Sequence, residues 1–180
     1  MKKWAWILIA ALMIGLIGGA SVLYDRLSAD FTPVQTVTEP AVDRAPDFTI
    51  TDRDGNEVKL SDFFGKPIVL NFWASWCGPC QYEMPDFEEA YDQYGEEIQF
   101  LMVNLTDGYS ETVSSAKAFL EKTGYTFPVY FDTLSDAARV YRIYNIPCTY
   151  FLNGDGVIVS KTIGMITADA LGQGIDLIME

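Results

Sequence analysis

Histidine is absent from all 180 residues, cysteine occurs only three times, and 12 basic residues stand against 25 acidic ones. Each shortage narrows the chemistry. A zinc site built on a Cys-x-x-Cys pair needs two further thiolate or imidazole ligands. Without His, only Cys148 remains to serve, and an Asp or Glu would have to complete the set. A net charge of −13 argues against nucleic acid and against adhesion to anionic lipid. Its ordinary use is a solvated acidic surface that keeps the chain soluble; a basic protein partner is permitted by it, not required. Internal repeats and low-complexity tracts are lacking as well.

Long uncharged runs are equally scarce, but there is one at the start. Trp4 to Tyr24 carries no charge, and about 20 apolar residues suffice to cross a bilayer as a helix. Lys2 and Lys3 precede it, which predicts a cytoplasmic N-terminus and a domain on the far side. A cleaved signal peptide competes with this, using Gly18 and Ala20 as a small-residue cleavage site. The run is longer than an ordinary signal core, which favours an uncleaved anchor over residues 1–27. Residues 28–44, with Pro33, Pro40 and several Thr, form an extracytoplasmic tether. Residues 45–180 amount to a single domain. Ten of the basic and all of the acidic residues follow the apolar run. In such a compartment disulfides persist. A thiol reductant there needs electrons delivered across the membrane, and an oxidant needs a reoxidising partner.

The most informative residues are Cys77-Gly78-Pro79-Cys80. The apolar run Pro67 to Ala74 before them reads as a buried strand, Ser75-Trp76 turn the chain, and Pro79 to Tyr94 has a helical pattern. The two cysteines therefore sit where a strand ends and a helix begins. Free amides and the dipole at a helix N-terminus favour a thiolate, and the thiolate is the nucleophile. The spacing lets the two sulfurs close a small ring. The pair reads as a reversible dithiol/disulfide, with a zinc half-site and a purely structural bridge as alternatives. The bridge would close too short a loop to stabilise much.

Around this centre, 47–50 and 57–60 predict a hairpin with Asp54-Gly55 in its turn. Residues 61–65 predict a short helical turn. Met84, Phe87, Tyr91 and Tyr94 share one stripe of the helix after the dithiol, and Pro85 should kink it. A strand is expected at 98–103, and a helix capped by Ser110 and stopped by Gly124, with Val113, Ala116 and Leu120 inward. A strand follows at 127–131 and a helix at 135–144. Residues 148–152 and 157–163 predict a hairpin, and Thr167 caps a last helix that Gly172 and Gly174 weaken. The order β-β-β-α-β-α-β-α-β-β-α gives an α/β fold, a mixed central sheet with helices on both faces.

At this point the chain resembles the thioredoxin superfamily, through Trp76-Cys77-Gly78-Pro79-Cys80 and Ile146-Pro147. A longer frame is similar to membrane-anchored TlpA/ResA-like thiol–disulfide oxidoreductases: Ala45-Pro46-Asp47-Phe48, Leu60-Ser61-Asp62, Asn71-Phe72-Trp73-Ala74, Cys80-Gln81-Tyr82-Glu83-Met84-Pro85, and the inserted helix–strand unit at 110–131. The resemblance covers nearly all of 45–180, and the anchor fits the same group. It implies a thioredoxin-like fold and an extracytoplasmic reductant. It also implies disulfide-containing clients, apocytochrome c or other envelope proteins among them, and a membrane electron donor of the DsbD/CcdA kind. No cofactor is implied beyond the Cys77–Cys80 pair.

Within that frame, Cys77 is assigned as the exposed sulfur that attacks the client disulfide, and Cys80, one turn in, resolves the mixed disulfide. Gly78-Pro79 is thioredoxin's own dipeptide, and no His between the cysteines signals a strong oxidant. Pro147 is expected to follow a cis bond, exposing the backbone of Ile146 to an extended client; a trans Pro at a strand edge is the plain alternative. Asn71 stands where thioredoxins carry a buried Asp, and it cannot titrate. The resemblance implies a Glu near the site three residues beyond the second cysteine; Glu83 matches it and is the expected proton acceptor for Cys80, against a solvated helix Glu. Trp73 and Trp76 are expected to shield the site and shape the client surface, with Trp73 equally readable as core. Cys148 replaces the family's usual Thr after the cis-Pro, either as a small buried hydrophobe or as a third thiol in a relay. Two other functions compete. Peroxiredoxins share the N-terminal frame, but the segment before Cys77 lacks the Thr/Ser and Pro arrangement that a peroxidatic Cys needs. A redox-switched binding module would capture envelope clients stoichiometrically without turnover.

Overall fold

The computed structural model describes residues 44–180; the expected anchor and nearly all of the tether lie outside them. Seven strands form one sheet: β1 Thr49–Thr51, β2 Glu57–Lys59, β3 Ile68–Trp73, β4 Gln99–Asn104, β5 Val129–Phe131, β6 Cys148–Leu152 and β7 Ile158–Ile163. Their order is β2-β1-β5-β4-β3-β6-β7. The pairs β3–β4 and β4–β5 are parallel, and all other pairings are antiparallel. Four helices accompany them among the described residues: α1 Gly78–Tyr94, α2 Val113–Thr123, α3 Asp136–Val140 and α4 Ala168–Met179. A 3-10 turn spans Leu60–Phe63.

The strand β3 is buried throughout because both of its faces are covered, which is why it reads as a continuous apolar run. Alternation sends Val69 and Trp73 into a core with Met84 and Phe87 of α1, Ala116 and Leu120 of α2, and Leu171, Ile175 and Ile178 of α4. Ile68, Leu70 and Phe72 point the other way, to Phe48, Leu60, Ala137 and Tyr141. The dithiol sulfurs belong to the first core.

Local chemistry sets the ends of the elements, and in places it differs from the sequence expectation. The cap of α2 is Thr112, not Ser110. Thr112 and Ser115 form a reciprocal capping box, and Asp107 takes the amides of Tyr109 and Glu111, so 107–111 stay in a turn outside the helix. The helix expected over 135–144 is confined to Asp136–Val140, with Ser135 and Arg142 at positive φ on either side of it. The strand predicted at 127–131 loses Phe127 and Pro128 for the same kind of local reason: Phe127 N–H bonds the Glu88 carboxylate, and Pro128 has no N–H to give. The helix α1 runs through Pro85 without ending. Gly174, a weakness by propensity alone, sits against the Phe151 ring where any Cβ would collide.

Candidate active site

At the C-terminal end of β3 the chain turns through Ser75-Trp76 and enters α1 at Cys77, its N-cap residue. Cys77 and Cys80 are joined in a disulfide. The Cys80 amide donates to Cys77 Sγ at 3.2 Å, so an orphan helix-terminal N–H already faces that sulfur. Pro79 lies in the first turn, where a missing N–H costs nothing. The expected exposure of Cys77 needs correction: the residue is 4% exposed against 0% for Cys80. In the closed disulfide the first sulfur is turned inward, toward Cys80, and joins the core cluster. The surface around it is instead supplied by Gly78 and Pro79, both exposed, and by Trp76, 60% exposed.

Glu83 lies three residues beyond Cys80 on the buried side of α1, 1% exposed. Its Oε1 accepts from Asn71 Nδ2 at 2.9 Å, and its Oε2 accepts from the Ile166 amide at 2.9 Å. Burial pushes its pKa up from 4.5 to about 7; the two hydrogen bonds oppose that rise and Asp86 adds to it. The carboxyl is therefore poised to gain or lose a proton at neutral pH. Asn71 also donates to Thr149 Oγ1 at 3.0 Å.

The Ile146–Pro147 peptide bond is cis. Pro147 is buried, and its carbonyl accepts from Gly164 N. Ile146 packs against the core that holds the dithiol. Trp76 and Ile146 line one cleft of about 230 Å³, together with Leu105, Asp107, Ile143 and Tyr144. These residues come from the dithiol turn, the loop after β4 and the segment before the cis bond.

Two expectations separate from this group. Trp73 does not shape a client surface: it is fully buried and packs on Phe119 with ring centroids 5.8 Å apart. Cys148 is brought to the other side of the sheet. It pairs in register with Phe72 and joins the core of Phe72, Tyr141 and Tyr150, because strand alternation turns residue 148 away from the face that Asn71 and Thr149 share. The relay arrangement is thus not assembled, and Cys148 is a free, buried thiol whose pKa is raised by that burial.

Three residues of the site carried no signal in the sequence. Thr149 and the Ile166 amide meet Glu83's network only through tertiary folding. Glu111 is fully buried and accepts from Ser75 N and Ser75 Oγ, both at 2.8 Å, and from Ser115 Oγ at 2.9 Å. With Gln81 Nε2 donating to the Ser75 carbonyl, it pins the turn two residues ahead of Cys77.

A mixed sheet with a cis-Pro segment beside a disulfide at a helix N-terminus defines a thioredoxin-like thiol–disulfide oxidoreductase. The comparisons agree, and the chain belongs to the AhpC/TSA family, whose model matches residues 41–161. It is 31% identical over 177 residues to the thioredoxin-like protein YneN of Bacillus subtilis, covering 98% of this chain and 99% of that one. It is 34% identical over 135 residues to the thiol-disulfide oxidoreductase ResA of Geobacillus kaustophilus, covering 74% and 75%. Among solved structures it is similar to StoA of Bacillus subtilis, with a TM-score of 0.63 at 29% identity, covering 76% of this chain and 99% of that one.

Proposed function

We propose that this oxidoreductase is a membrane-tethered reductase that acts outside the cytoplasm on disulfides of client proteins, through Cys77 and Cys80. The observation that carries the reading is the buried Glu83 carboxyl, one helical turn past Cys80, with its pKa near neutrality. The Cys77 thiolate attacks one client sulfur; a Cys77–client disulfide forms and the other client sulfur leaves as thiolate. Cys80 passes its proton to Glu83, and the resulting thiolate attacks Cys77, releasing the second client sulfur and closing the Cys77–Cys80 disulfide. Two electrons from a membrane dithiol donor of the DsbD/CcdA kind restore the dithiol. Pro147, with the Ile146 backbone beside it, and the cleft between Trp76 and Tyr144 receive an extended client segment. Gly78 and Pro79 lie at the same contact. Envelope proteins are the client class, apocytochrome c among them; the ResA relatives and the uncharged run at 4–24 support this assignment.

The test is the reduction potential of the Cys77–Cys80 pair in the full-length chain, measured in a redox series. A value near thioredoxin's, about −270 mV, or lower is expected; a value near the strong oxidant DsbA's, about −120 mV, would reverse the direction. Multiple turnovers with an electron supply separate the enzyme from a binding module, and peroxide consumption would favour a peroxidase.

A further inference from the structure

A buried carboxyl that cycles its proton must keep its hydrogen bonds in both states, and the surroundings of Glu83 show how this is done. Glu83 enters here, as in the proposed function on which this rests, as the group that takes the Cys80 proton. In the oxidised chain the two hydrogens of Asn71 Nδ2 face two oxygens, Glu83 Oε1 and Thr149 Oγ1. That arrangement suits ionised Glu83. With a proton on Oε1, an O–H would confront an N–H in a site that water does not reach, since Asn71, Glu83 and Thr149 are all essentially buried. Asn71 Oδ1, meanwhile, has no hydrogen-bond partner among the described residues.

Half a turn of the amide resolves the conflict. It replaces a nitrogen with two hydrogens by an oxygen with two lone pairs. Oδ1 then accepts from Glu83 Oε1–H and from the Thr149 hydroxyl, which rotates from acceptor to donor. The Ile166 amide stays on Oε2 throughout. Both protonation states therefore keep the same three contacts around Glu83 and Thr149, while the Asn71 atom left without a partner changes from Oδ1 to Nδ2. We propose that Asn71 and Thr149 form a reversible amide–hydroxyl cradle that turns over each time Glu83 gains or loses its proton.

The residue types are specific to this role. An Asp at 71 would put two carboxyls against one another and leave them one proton to share. A Val at 149 would offer no hydroxyl to either orientation. The titratable groups that face Glu83 among the described residues are Asp86 on its own helix and Cys80 once the disulfide opens; Cys148, on the opposite face of β6, only feels the Glu83 charge through the sheet. Asp86 acts on the Glu83 proton affinity as a charge, with no hydrogen bond to it. Asn71 and Thr149 are thus positioning residues, acting through Glu83.

The test follows the Asn71 side-chain amide and the Glu83 carboxyl by NMR in the full-length oxidised chain, from acid through neutral to alkaline pH. The amide signals are expected to shift with the same midpoint as the Glu83 carboxyl. Their nuclear Overhauser contacts to Thr149 are expected to be present on the alkaline side and lost on the acid side. Contacts that persist across the Glu83 titration would overturn the cradle. Thr149→Val is expected to slow release of the mixed disulfide several-fold, with Thr149→Ser restoring it; an equal defect in both variants would also overturn it. Glu83→Gln separates the two readings. Wild-type turnover in that variant would remove the base role and leave the amide swap standing. An amide indifferent to Glu83 would remove the swap and leave the base role standing.

Discussion

Cys80 and Cys148 are both buried, yet they lie against opposite faces of the same sheet in unlike surroundings. Cys80 sits in the first turn of α1, with the Glu83 carboxyl on the same face and the Asn71–Thr149 bonds behind it. Cys148 faces Phe72, Tyr141 and Tyr150, aromatic rings packed edge to face. Burial raises its thiol pKa and pushes Tyr150 up to about 12. Burial alone therefore does not make a reactive thiol. What separates the faces is a helix terminus and a group able to take a proton.

The sharpest way to break this comparison is to delete sulfurs from each face. Cys77→Ser or Cys80→Ser is expected to lower client-disulfide turnover by at least ~10³-fold, with Cys80→Ser accumulating a Cys77–client adduct visible by mass spectrometry. Loss of comparable activity on changing Cys148 would erase the distinction between the faces.

Two tryptophans extend the test to packing. Trp73→Ala removes a fully buried ring and is expected to cost about 3–5 kcal/mol in denaturant unfolding. Trp76→Ala, on the exposed rim, is expected to change stability by about 0.5 kcal/mol or less while weakening client capture.

The proton on Glu83 ties stability to pH. Folded, the carboxyl holds its proton up to about 7, against an ordinary value of 4.5. Between these values the folded oxidised chain binds more protons than the unfolded one, so stability falls as pH rises through that window. The loss amounts to about 3 kcal/mol, from the 1.36 kcal/mol that each pKa unit represents. Unfolding midpoints that stay level across the window, or that fall equally in Glu83→Gln, would contradict the assignment. In catalysis, Glu83→Gln is expected to slow turnover about 10²-fold and to remove the inflection near neutrality from the pH–rate profile. The smallest effect belongs to the other face: Cys148→Thr is expected to leave turnover within about twofold of wild type.

Much of the scaffold was legible because it rests on local rules. The uninterrupted run of β3, the helical stripe after Cys80, the Gly55 turn and the Gly124 stop each follow from period, propensity or backbone freedom. Element ends were read less well where several residues compete for one amide. Ser110 and Thr112 are both sound caps, and only the Asp107 turn decides between them. Within the site, Cys77 and Cys80 were visible through their spacing at a helix start, and Glu83 through the family resemblance together with its place three residues along the same helix. Thr149, Ile166 and Glu111 were not, since each meets its partner across at least 36 positions of chain.

By itself, the sequence determined the α/β order of elements, the cysteine pair at a strand-to-helix junction, and the acid one turn beyond it. These depend on neighbours a few residues apart, and the chain's own geometry fixes them. Tertiary structure alone decided which face of the sheet each thiol occupies, which tryptophan is core and which is rim, and how the Glu83 carboxyl is held. Those outcomes depend on strand register and on which loops close over which end of the sheet. A shift of one residue in β6 would put Cys148 in place of Thr149 on the face of the dithiol.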